Sequence, residues 1–123
     1  MVPLLAVVGT LIVRLHAQNG SEETGSAVFT PLGERTRVAI TVTGEPPEAI
    51  QPANLHLGSC NDIETIRHPL HDVRAGRSAT LLDVPIAALT TGRLIVDLQG
   101  SPQSLYAAKD ARSVSCGAIP RRG

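Results

Sequence analysis

Residues Arg35 to Thr43 read Arg-Thr-Arg-Val-Ala-Ile-Thr-Val-Thr, and their polarity alternates step by step. Val38, Ile40 and Val42 fall on one side of an extended chain, with Arg37, Ala39, Thr41 and Thr43 on the other. A period of two is that of a pleated strand with one wet face, and its β-branched residues suit a sheet better than a helix. Such a strand must bury its valine–isoleucine face against another element, which commits the chain to a layered β structure.

The punctuation of the rest agrees. Ser26 to Leu32 precede this strand, and Pro31-Leu32-Gly33-Glu34 reads as a turn joining the two into a hairpin. Gly44-Glu45-Pro46-Pro47 stops the strand, because proline has no N–H for a ladder. Further strands are expected at Ala53 to Gly58, Arg77 to Val84, Arg93 to Gln99 and Arg112 to Ile119, with a helical turn entered at Pro85. Residues 61–76, broken by Pro69 and Gly76, read as a long irregular segment, and 101–111 as a loop. Short strands at roughly ten-residue spacing, with no long helix among them, predict a sandwich or a Greek-key barrel.

The first residues read differently. Pro3 to Val13 is apolar and leads into Arg14-Leu15-His16-Ala17. An apolar run followed by a short segment ending in a small residue predicts a secretory leader cleaved near Ala17. The run is shorter than the roughly 20 residues of a spanning helix. No Lys or Arg precedes it, so an uncleaved anchor and a buried strand stay open as alternatives. The expected organisation is a signal peptide over 1–17, a polar spacer over 18–25, a β-domain over 26–119 and a tail over 120–123, in a protein that is secreted or held at the cell envelope.

Export bears on the two cysteines, Cys60 and Cys116. In an oxidising compartment they are expected to form one disulfide, with two thiols or a two-cysteine metal site as the alternative. A staple suits a small domain whose core, with no Trp and only Phe29 and Tyr106 as aromatics, must be aliphatic. Without Arg14 the eleven Lys and Arg become ten, against eleven Asp and Glu, and the charges are interspersed. No basic stripe and no stacking platform is visible, which argues against a nucleic-acid partner. No membrane contact is expected beyond the leader, and the partner would be an unidentified protein or envelope component.

Chemistry-bearing motifs are sparse. There is no G-x-S-x-G elbow, no glycine-rich phosphate loop and no paired carboxylate, so no catalytic residue and no cofactor are expected. The alternative is copper or zinc at His56, His68 and His71, with Asp72 adjacent and Asp83 beyond, since imidazole is the usual ligand and a site needs three or four converging donors. The ordinary reading is of solvated or hydrogen-bonded histidines.

Gln51-Pro52-Ala53-Asn54-Leu55-His56-Leu57-Gly58-Ser59-Cys60, then Pro69-Leu70, then Ser115-Cys116-Gly117-Ala118-Ile119 resembles the copper/zinc superoxide dismutase-like fold, and more closely the small secreted bacterial domains allied to it and to chordin-type (CHRD) domains. In that superfamily a strand bearing His-x-His leads into a cysteine that pairs with one in a terminal Cys-Gly-x-Ile strand. The resemblance implies an all-β, eight-stranded Greek-key β-sandwich, superoxide dismutase-like or immunoglobulin-like, with one disulfide. It also implies a lost copper site. The His-x-His position reads Asn54-Leu55-His56, and Gln99 stands near a later histidine. Amides lack the imidazole nitrogens a redox copper needs. Asn54 and His56 should share a face opposite Leu55 and Leu57, with the leucines inward and His56 held by a hydrogen bond from the 61–76 segment.

Overall fold

A computed structural model describes residues 9–100 and 112–121 of the chain. Its elements are β1 (Leu11–Ala17), β2 (Thr24–Leu32), β3 (Arg35–Thr43), β4 (Ile50–Ser59), β5 (Asp62–Arg74), β6 (Arg77–Leu82), α1 (Ile86–Leu89), β7 (Leu94–Gln99) and β8 (Ser113–Ala118). All strand pairs are antiparallel, and the order β1-β2-β3-β6-β5-β4-β7-β8 closes on itself. The chain is therefore all-β and disulfide-linked as expected, but the sandwich is overturned: this is one closed eight-stranded barrel. The β3–β4 and β6–β7 connections skip over neighbours, which winds β3 to β7 into two overlapping Greek keys.

The closure has two thin seams. In the ladder β1 meets β8 only through His16–Cys116 and Ala17–Ser115. β5 meets β6 in the ladder only at Arg74–Arg77. Beyond that pair, side chains replace the ladder: the His71 N–H donates to Thr80 Oγ1 (2.8 Å) and Ser78 Oγ donates to the His71 carbonyl (2.7 Å). Each half-barrel thus carries the alternation of a sandwich layer.

β3 has the expected alternation, with Val38, Ile40 and Val42 buried. They pack with Phe29, Leu55, Val73, Val96 and Leu98, while Ile86 and Leu89 of α1 join the same core. Burying these side chains is the main favourable term, at roughly 25 cal/mol per Å² removed from water.

Two segments depart from expectation. Leu11–Ala17, read as the end of a leader, alternates as a strand: Leu11, Val13 and Leu15 are buried while Ile12, Arg14 and His16 face out. Here an apolar residue, Ile12, sits on the wet face and disguises the period of two. Cleavage near Ala17 would remove this strand; residues 1–8 lie outside the described part. The polar spacer is also partly structured, since β2 begins at Thr24 and Glu23 is buried.

The second departure is 61–76, which holds the 13-residue strand β5. Pro69 is tolerated because β5 has almost no ladder on its β6 side, and Pro52 falls at a register shift between Gln51 and Ala53 of β4. The expected loop at 101–111 lies outside the described residues.

Candidate functional site

The outer face of β4, β7 and β8 is where the singled-out residues gather. Register places Cys116, Asp97 and Asn54 in one row across it, and Ala118, Ile95 and His56 in the next. These positions point away from the core, yet Ile95, His56 and Asp97 are all buried. The tip of the β4–β5 hairpin covers them. β4 carries register shifts on both sides of His56, and bulges bend a strand. Gly58 sits at φ +112°, where a Cβ would run into the carbonyl oxygen of Asp62. Only glycine accommodates both demands. The Cys60–Cys116 disulfide, with Cα atoms 5.9 Å apart, then ties the hairpin tip to β8.

Under this cover His56 is 6% exposed. Its Nδ1 lies 2.8 Å from the carbonyl oxygen of Glu64 on β5. A carbonyl only accepts, so Nδ1 carries the proton and donates. The hydrogen bond expected from the 61–76 segment is present. His56 Nε2 faces Asp97 Oδ2 at 3.9 Å, beyond hydrogen-bond reach. Among the described residues His56 Nε2 and Asp97 Oδ1 have no hydrogen-bond partner. Burial pushes the Asp97 carboxyl above its ordinary value, opposed by the Ser113 hydroxyl and by His56. Asp97 also lines a groove shared with Asn19, Asn61, Gln99 and Ser113.

The other candidate ligands are elsewhere. His68 pairs with core-facing Leu55 and so takes the opposite face of the sheet from His56. It is half-buried, and burial, aided by Arg67, pulls its imidazole below the usual value. His71 and Asp72 are exposed, and His71 serves the β5–β6 seam through its backbone. Asp83 is exposed and pairs with Arg35 at 3.4 Å. Among the described residues no three His, Cys, Asp or Glu side chains are placed to hold one ion. The residues present do not fit a copper or zinc site built on His56, His68 and His71.

A second buried polar cluster closes the barrel end where β2 and β4 begin. Gln51 Nε2 donates to Glu23 Oε1 at 2.8 Å, and both residues are 1% exposed. Among the described residues Glu23 Oε2 and Gln51 Oε1 have no hydrogen-bond partner. Burial raises the Glu23 pKa, with Gln51 opposing and Glu45 adding to the rise. Ser115 Oγ donates to the Glu23 carbonyl at 2.9 Å and locks the β1–β2 turn to β8. These two carboxylates were not singled out from sequence. Asp97 had a readable signal, a lone charge inside the apolar strand Leu94–Gln99; Glu23 sits in a polar stretch and had none.

Comparison with family models, with curated proteins and with solved structures gives no match for this chain.

Proposed function

We propose that the chain is an extracytoplasmic binding or structural module, related to dismutase- and chordin-type domains, that does not perform metal-dependent dismutation. The observation that carries this reading is the state of His56. The residue with the best claim to a ligand role is committed through Nδ1 to the Glu64 carbonyl, beneath a disulfide-tied hairpin. An ion at its Nε2 would find Asp97 as a second donor, short of the three or four that zinc or copper takes. Supporting the relationship are the Greek-key connections and a disulfide joining the end of the His56 strand to the Cys-Gly-Ala-Ile strand. Supporting the compartment is the disulfide, which fits an oxidising environment. On this reading β1 stays in the working protein, because Leu11, Val13 and Leu15 fill the core.

Metal analysis and activity decide it. Purified full-length protein, offered copper and zinc and then dialysed, should retain neither stoichiometrically and should not accelerate superoxide decay above buffer. Retained metal with a robust rate, both lost in His56→Ala, would overturn the reading.

A further inference from the structure

Among the described residues nothing covers the outer face of β1, β2, β3 and β6, and its register gathers charges that the sequence scatters. One row across the four strands reads Arg14, Ser26, Thr41, Arg77; the next Ile12, Val28, Ala39, Ala79; the next continues from Thr30 through Arg37 to Leu81. No Asp or Glu occurs in any of these strands. The acidic residues that border the face, Glu22, Glu34, Glu45 and Asp83, follow the strands in the turns at its ends. Among the described residues no carboxylate lies within ion-pair distance of Arg14, Arg37 or Arg77. Of the four exposed large hydrophobic side chains among the described residues, this half-barrel carries three: Ile12 at 67%, and Leu32 and Leu81 at 50% each. Shallow grooves run between the rows, lined by these arginines together with Ser26, Thr41 and Ser78.

We propose that this face docks on the surface of an anionic lipid bilayer. Three unpaired guanidinium groups, with Arg14 and Arg77 roughly 14 Å apart across three strand spacings, complement phosphate headgroups, and Arg is the side chain best shaped to bind them. Ile12 and Leu81 supply apolar contact beside them, as interfacial proteins do. The chain leading into β1 reads Val2-Pro3-Leu4-Leu5-Ala6-Val7-Val8, so the first strand of this face is joined to an apolar stretch. A second copy of the same face is disfavoured, since it would oppose arginine to arginine. A stacked nucleic acid or glycan finds no aromatic on this face among the described residues: Phe29 is in the core. The inference rests on the retention of β1 proposed above.

The test is partition of the full chain, its intact mass confirmed, onto phosphatidylcholine vesicles with and without an equal part of phosphatidylglycerol. Comparing the two lipids removes any contribution of the apolar N-terminus, which both would take up. Each arginine near an anionic surface is worth about fivefold, so three predict a preference of roughly a hundredfold, shrinking with added salt. Arg14→Gln/Arg37→Gln/Arg77→Gln should abolish the preference, and the control Arg67→Gln/Arg93→Gln/Arg121→Gln should keep it, both variants melting as folded proteins. Equal partition onto the two lipids, or an equal loss in both variants, overturns the proposal. So does double-stranded DNA binding through the three arginines without preference for anionic vesicles. A mass beginning at Gln18 would instead overturn the retention of β1, and metal-dependent activity would overturn the proposed function while leaving the partition result standing.

Discussion

The outer surfaces of the two half-barrels share one pleated backbone and have opposite fates. That of β4, β7 and β8 lies under the β4–β5 hairpin, so outward-facing Asp97 and His56 are buried there with polar atoms unpartnered. That of β1, β2, β3 and β6 is left open by the described residues, and its outward-facing arginines are exposed. What separates them is a bend at Gly58 and one disulfide. Outward direction in a strand does not by itself mean exposure; a covering hairpin changes the chemistry of whatever lies beneath it.

Removing the staple should have the largest effect. The Cys60–Cys116 bridge spans a sequence separation of 56, and on the chain-entropy account its loss costs about 2–5 kcal/mol. Cys60→Ser with Cys116→Ser should lower the Tm by that equivalent. Amide exchange should rise most in residues 59–66 and least in β2 and β3. Uniform loosening of both half-barrels would break the comparison.

Next comes the charge beneath the cover. Because burial raises the Asp97 pKa, the folded state holds its proton to higher pH than the unfolded chain. The folded state then binds more protons between the two values, and stability falls as pH rises through the folded-state pKa. Asp97→Asn should flatten that fall and, near neutral pH, stabilise by about 1–3 kcal/mol, the scale of a poorly satisfied buried group. Glu23 is raised for the same reason and keeps part of the slope in this variant. Denaturant titrations across pH in both proteins measure it; a variant that loses stability at neutral pH would mean that ionised Asp97 is favourably paired.

How much of this was legible follows the same division. β3 was readable residue by residue, because one face is core and the other water. β5 was not: most of its outward side chains are charged and Pro69 interrupts it, yet it pairs with β4 along most of its length. β1 was hidden because Ile12 joins its first half, Leu11 to Val13, to the apolar run that begins at Pro3. At the candidate site, the disulfide was accessible from the cysteine count and the expected export, and the inward leucines beside His56 from alternation. The partner at Nδ1 was foreseeable only as coming from 61–76, because which carbonyl arrives depends on bulges that no local pattern encodes. Barrel closure depends on the thin β1–β8 and β5–β6 seams, which are contacts between segments far apart in sequence.

A smaller effect is expected at His56. Truncation to alanine removes one hydrogen bond to Glu64, worth about 1 kcal/mol net. It also frees space beside Asp97. A thermal melt of wild type and His56→Ala, each with and without micromolar zinc or copper, should show that modest loss and no metal-dependent shift. Metal linkage contributes about 2.7 kcal/mol at a hundred times the dissociation constant, so an upward shift confined to wild type would turn the covered face into a metal site.

The smallest effect belongs to the open face, and its sign is the informative part. Arg37 is exposed on β3, opposite Thr30 and Leu81, with no carboxylate in ion-pair distance among the described residues. Arg37→Gln removes no buried contact, so stability should stay within about 0.5 kcal/mol. Beyond Arg35, which is two residues along β3 and paired with Asp83, the like charges nearest to it on this face are Arg14 and Arg77, at separations comparable to the roughly 10 Å screening length of 0.1 M salt. Their mutual repulsion should therefore surface only at low ionic strength, where Arg37→Gln should melt slightly above wild type. A loss in that variant would mean that the guanidinium packs on Leu81 and holds the sheet together. A gain that fades with salt means that the three arginines are kept together against a small cost in stability, which is what a docking face, unlike a structural one, is expected to show.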